Sequence, residues 1–161
     1  MASGLIGEAI LIIASVIVAG SIAGIVLSQI GVFESTITQT TESQQDKLLT
    51  KIDIVYGSGT VGMSIPEASL YVKNTGTNTI VDNTNLDVYF GEIGSAKRYA
   101  YQVAGGDDTW EFVGGAPSIW QKSETYQINV TESDLSTSTT YEVQITTPNG
   151  ISDDFIFSLS P

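Results

Sequence analysis

From Ala9 to Phe33 the sequence carries no charged side chain, and the core of that run reads AILIIASVIVAGSIAGIVL. In a helix these 25 residues would extend about 37 Å, at about 1.5 Å per residue, against a bilayer hydrocarbon core of roughly 30 Å. A transmembrane helix over 1–33 is the expectation. A secretory signal peptide is the rival, but it calls for a basic leading segment and a shorter apolar run. Met1 to Gly7 contains no Lys or Arg, and the run continues past signal-peptide length, which favours a retained anchor. Neither flank is strongly basic, so the positive-inside rule has little to act on. Lys47 and Lys51 lie well beyond the run and are offset by Glu34, Glu42 and Asp46. The acidic, strand-rich remainder favours an N-terminus on the cytoplasmic side.

Within the run, Gly20 and Gly24 form a GxxxG row that Ser28 extends by a turn, and Ser15, Ala19 and Ala23 lie beside it at the same spacing. Small residues four apart leave a shallow groove in which a second helix backbone can approach closely. Helix–helix assembly is the functional reading, and ordinary Gly/Ala content of a membrane helix is the plain one. Glu8, just ahead of the apolar run, either sits at the interface, favoured by the helix dipole, or pairs with the free α-amino group of a neighbouring subunit.

After Phe33 the chain turns polar without becoming loop-like. ESTITQTTESQQDKLLTK contains neither Gly nor Pro, so a helical stalk over 34–50 is expected, ending near Leu49. A flexible linker is the alternative.

From Lys51 the texture changes to short alternating runs separated by turn residues. Ile52 and Ile54 share a face; so do Leu70 and Val72, then Leu86, Val88 and Phe90, then Tyr99, Tyr101 and Val103. A Gly105-Gly106-Asp107-Asp108 turn precedes Trp110 and Phe112. Tyr126, Ile128 and Val130 follow, then Tyr141, Val143 and Ile145, a Pro148-Asn149-Gly150 hairpin turn, and Phe155, Phe157 and Leu159. The fold class is therefore all-β: an N-terminal transmembrane and stalk helix, then an antiparallel immunoglobulin-like sandwich of seven to eight strands over 51–161. Trp120, behind the Gly114-Gly115-Ala116-Pro117 loop, is expected to plug the core, with a protruding contact residue as the other reading.

Composition narrows the chemistry. The 161 residues carry a net charge of −12 with only six basic side chains, too few to neutralise a run of phosphates, so nucleic acid is not an expected partner. With no Cys there are neither disulfides nor thiol chemistry, and with no His the commonest general base and zinc ligand are missing. Asp107, Asp108 and Glu111 have oxygen ligands suited to calcium, but without a recognised loop spacing they read first as turn residues. No cofactor, no metal and no enzymatic activity are expected. Asn129-Val130-Thr131 is the only Asn-x-Ser/Thr sequence, and alternation puts Asn129 on the outer face, making it a candidate glycosylation acceptor.

The order EAILIIASVIVAGSIAG, polar stalk, SLYVKNTGTNTI, LDVYFG, Trp120 and TYEVQITTPNGISDDFIF resembles the archaellum accessory proteins G and F, and protein G more closely. The most distinctive stretch is LYVKNTG, Leu70 to Gly76, with lettering that archaellins share. This resemblance implies an uncleaved membrane anchor and a β-sandwich between membrane and S-layer. It also implies a stator-like role, with partners among copies of itself, a sibling accessory subunit and the S-layer protein. An archaellin begins with a short basic leader ending in Lys/Arg-Gly, which Met1-Ala2-Ser3-Gly4 lacks, so a filament subunit is the second reading. A membrane-tethered extracytoplasmic binding module is the third. The family carries no catalytic residues to transfer.

Overall fold

The computed structural model describes residues 2–61, 66–103 and 106–159. They fall into two compact units, Met1–Gln44 and Gln45–Pro161.

The first unit is helix. Helix α1 runs without interruption over Ala2–Leu49, so its last turn belongs to the second unit. One stretch of 18 residues reaches a mean hydropathy of 2.8, and it is the one helix among the described residues long and apolar enough to cross a membrane. Two of its hydroxyls are satisfied within the helix. Ser15 Oγ donates to the Ile12 carbonyl and Ser21 Oγ to that of Ile17, both at 2.8 Å. The same bonds recur in the threonine-rich stalk. Thr36, Thr38 and Thr40 each donate to the carbonyl four residues back, at 2.8 to 3.0 Å. β-Branched residues that weakly oppose helix thus satisfy their own hydroxyls within it.

The described residues of the second unit include ten strands. These are β1 (Ile52–Thr60), β2 (Glu67–Asn74), β3 (Ile80–Val81), β4 (Asp87–Glu92), β5 (Lys97–Tyr101), β6 (Thr109–Phe112), β7 (Ile119–Trp120), β8 (Thr125–Thr131), β9 (Thr140–Thr146) and β10 (Ser152–Ser158). Eight of them form one continuous sheet in the order β1-β2-β8-β6-β5-β4-β9-β10. It folds into two four-stranded layers, β1-β2-β8-β6 and β5-β4-β9-β10. All pairings in it are antiparallel except β5 with β6, where Ala100 faces Thr109 and Tyr101 faces Trp110. That short parallel ladder joins the layers along one side. The seven to eight strands expected from alternation correspond to the large sheet. The extra pair, β3 with β7, is a two-residue ribbon outside it.

Alternation sorts core from surface as the sequence implies. Leu70, Val72, Val88, Phe90, Ile128, Val130, Val143 and Ile145 are fully enclosed, while Tyr71 and Gln144 point outward. Trp120 is also fully enclosed, with its Nε1 donating to the Glu124 carbonyl at 3.0 Å. Phe112 and Tyr126 meet its ring edge to face at 6.1 and 5.5 Å. It is the core plug, not a protruding contact.

One local expectation is corrected. Strand β5 ends at Tyr101, and Val103 lies beyond it with 64% of its surface exposed, because the chain leaves the sheet once the short ladder to β6 is complete. In β1 the alternation begun by Ile52 and Ile54 breaks at a bulge between Ile54 and Tyr56. The extra residue reverses the parity, sending Tyr56 outward against Tyr71 and turning Gly57 and Gly59 into the interior. Of the expected Gly105-Gly106-Asp107-Asp108 turn, Gly105 lies outside the described residues.

Candidate functional site

Three parts of the described chain bear on function: the exposed face of α1, the loop that holds its last turn, and the side-chain networks on the β domain.

On α1, Gly20 and Gly24 have no atom near the position a Cβ would occupy. With Ser15, Ala19, Ala23 and Ser28 they leave a row of small, exposed residues flanked by Ile17, Ile22 and Ile25, each more than half exposed. Glu8 is exposed near the start of the apolar stretch. All of these residues lie on the helix as the spacing implies. An aqueous protein rarely leaves so many large apolar side chains uncovered, and the surface is compatible with a membrane anchor.

The last turn of α1 meets the loop from Asn74 to Asn78, inside the SLYVKNTGTNTI stretch that carried part of the family resemblance. A helix end leaves carbonyls without partners, and this loop supplies them. The Leu49 carbonyl accepts the amides of Thr77 and Asn78 at 2.8 and 3.1 Å, and the Lys51 carbonyl accepts those of Thr75 and Gly76 at 2.9 Å each. Asn78 Nδ2 donates to the Asp46 carboxylate at 3.1 Å. Asn74, fully enclosed, shapes the loop from within. Its Oδ1 accepts from the Gly76 amide at 3.0 Å, and its Nδ2 donates to the carbonyls of Asn78 and Trp120 at 2.9 and 3.1 Å. On the other side, Asn149 in the β9–β10 turn donates to Thr50 Oγ1 at 2.7 Å. Sequence reasoning missed this contact with the helix end. The signal was the glycine between two polar pairs, whose purpose only the packing discloses.

Across the parallel β5–β6 joint lies a charged cluster. Lys97 Nζ is 2.6 Å from Asp108 and 2.9 Å from Glu132, and the Tyr99 hydroxyl donates to Glu132. Burial pushes the Glu132 carboxyl up, but hydrogen bonds from Tyr99, Lys97 and the Asp134 amide, together with the Lys97 charge, outweigh it and hold it below the ordinary range. Bonds to Asp108 and Glu132 in turn hold the Lys97 ammonium above its usual value. Asp108 is thus committed to Lys97. Among the described residues no group of three or more His, Cys, Asp or Glu side chains gathers as a metal site.

Asn129 lies mid-strand in β8 and is half-buried rather than freely exposed. Its Nδ2 donates to Glu67 at 2.8 Å, and its Oδ1 accepts from Ser69 Oγ at 3.0 Å and Gln127 Nε2 at 3.1 Å. Alternation gave its face correctly. Cross-strand partners, which no single strand reveals, hold its amide in place.

The archaeal-type flagellin family matches residues 2–157, from the start of α1 into β10. Among solved structures, the archaellum periplasmic stator protein FlaG from Sulfolobus acidocaldarius is similar at 29% identity and a TM-score of 0.57, over 68% of this chain and 100% of that one. The archaellum periplasmic stator protein complex of FlaF and FlaG from the same organism is similar at 29% identity and a TM-score of 0.56, over 68% of this chain and 90% of that one. No curated protein matches the sequence. With helix and β domain both inside the matched span, the chain belongs to the archaeal-type flagellin family.

Proposed function

We propose that this chain is a non-enzymatic, stator-like subunit of the archaellum, held in the archaeal membrane by α1 with its β domain on the outside. The observation that carries this reading is the combination of an apolar, uncovered α1 with a similarity, at 29% identity over 68% of this chain, to the whole of a solved periplasmic stator chain. The two units correspond to two demands on an anchor: a span that stays in lipid, and a stiff outer module that resists shear. The row Ser15, Ala19, Gly20, Ala23, Gly24 and Ser28 serves lateral assembly of copies, and Glu8 serves a subunit contact at the membrane surface. A sibling accessory subunit and the S-layer protein are the partners of the β domain. The FlaF–FlaG complex supports the first of these by analogy. Asn129 remains the candidate glycan acceptor, with its nitrogen bonded to Glu67 in the folded sheet.

Cell fractionation with accessible-surface labelling tests this reading. The chain is expected in the membrane fraction, with Lys122 labelled from outside the intact cell, and affinity capture is expected to recover a sibling subunit or the S-layer protein. Recovery of the native protein in the soluble fraction, without α1, would refute it. A second reading, a filament subunit assembled through α1, is favoured by the flagellin family match over both units. Isolation of the chain as the bulk component of sheared filaments would select it over the first.

A further inference from the structure

We propose that the Asn74–Asn78 loop is a socket through which tension in α1 enters both layers of the β domain, so that the joint can be opened without unfolding the sandwich. This rests on the anchoring role, since only a tether is pulled, but the joint is visible in the contacts themselves.

Tension transmitted along the chain reaches residues 49–51 before any strand. There, four loop amides converge on just two carbonyls, those of Leu49 and Lys51. Thr50, between them, is 6% exposed and is held by Asn149. The chain therefore cannot peel away one bond at a time. The loop follows β2, in the first layer, and Asn149 sits in the turn between β9 and β10, in the second, so the load divides between them. The loop is fixed from behind as well: Asn74 bridges to the Trp120 carbonyl, and its own backbone exchanges bonds with Glu124 and Ser123 at 3.0 and 2.8 Å.

The acceptors on the helix side are backbone carbonyls, so the joint depends on the shape of the loop more than on helix side chains. Gly76 is the residue that allows it. A Cβ there would lie 2.5 Å from both the Leu49 oxygen and the Lys51 nitrogen, both backbone atoms that cannot swing aside. Any larger residue must push the loop off the helix end. Lys47 and Lys51 bracket the joint, which makes its opening readable by trypsin.

The test uses the full chain in detergent micelles or nanodiscs. Pulled between its N-terminal helix and its C-terminus, the wild type is expected to show a small extension as the joint opens, followed at higher force by rupture of the β domain as one unit. Gly76→Ala is expected to show an earlier extension at lower force. In parallel, trypsin is expected to cut Gly76→Ala at Lys51 about tenfold faster than wild type, following the greater population of the locally open form. The released β domain should keep its buried-tryptophan emission. Asn78→Ala, which removes the Asp46 bond but keeps both backbone amides, is a milder variant for use if Gly76→Ala does not fold; it is expected to be cut faster than wild type and slower than Gly76→Ala. Wild-type joint-opening force and cleavage rate in the variants would overturn the proposal. So would loss of the joint only together with the whole sandwich. None of these readouts needs an archaellum partner, so a failed stator assignment leaves them unaffected.

Discussion

Gly59 of β1 lies directly against Leu159 at the end of the chain, where a Cβ on the glycine would overlap the leucine Cδ2. Two residues earlier, a Cβ on Gly57 would come within 3.0 Å of the Phe157 ring. Strands β1 and β10 are the two ends of the eight-stranded sheet, and the backbone ladder does not close between them. The side chains of β10 fill that seam because β1 presents hydrogens there. The Asp153 carboxylate adds one polar tie, accepting the Ile54 amide at 2.8 Å.

Filling this seam from the β1 side should therefore destabilise the domain. Gly59→Ala is expected to lower stability by about 1–3 kcal/mol, the usual effect of overpacking. Gly57→Ala should have a smaller effect, because the Phe157 ring can shift by tenths of an ångström. Urea denaturation followed by tryptophan emission measures both, and equal stability of Gly59→Ala and wild type would show that the seam is loose.

The Lys97–Asp108–Glu132–Tyr99 cluster predicts an acid-sensitive joint. The folded Glu132 carboxyl titrates below its unfolded counterpart, so its contribution is fully present above the unfolded value, roughly 4.3, and is lost as pH falls through the folded one. Glu132→Gln is expected to lower stability by about 1 kcal/mol at pH 7, the scale of one hydrogen bond. It should also flatten the decline of the denaturation midpoint between about pH 5 and 3, where carboxylates protonate. A variant with the wild-type pH profile would remove Glu132 from that role.

Trp120 anchors the ribbon β3–β7 to the core. Trp120→Ala should reduce stability by about 3–5 kcal/mol, the range for emptying a large aromatic site. Thermal unfolding monitored by circular dichroism checks it, and a loss below about 1 kcal/mol, the scale of an ordinary surface change, would contradict its place as the core plug.

In α1, Gly20→Ile with Gly24→Ile should leave the helix intact but reduce the size of detergent-solubilised assemblies, because the groove is filled. Among the described residues no atom beyond the local helix backbone lies within 4 Å of where either Cβ would sit, so the substitutions meet no steric obstacle within the chain's described part. Analytical ultracentrifugation reads the outcome, and an unchanged oligomer would exclude this face from packing.

Most of the architecture is local information. The uncharged run from Ala9, the Gly- and Pro-free stalk and the alternation of Leu70 with Val72 or Val143 with Ile145 each express a single element's preference for lipid, helix or a half-buried strand. Such preferences survive without tertiary context, so the sequence by itself determined a long helix followed by a β domain with those residues inside. The tertiary structure decided everything that depends on two segments meeting. It reversed the parity of β1 through a bulge, because the second half of that strand must accept Phe157 and Leu159. It ran β5 parallel to β6, bound the Asn129 amide to residues of β2, and seated a turn sequence around the carbonyls of Leu49 and Lys51. Hydrogen bonds and close packing between residues distant in the chain leave no periodic trace in either partner, and only their juxtaposition in space reveals them.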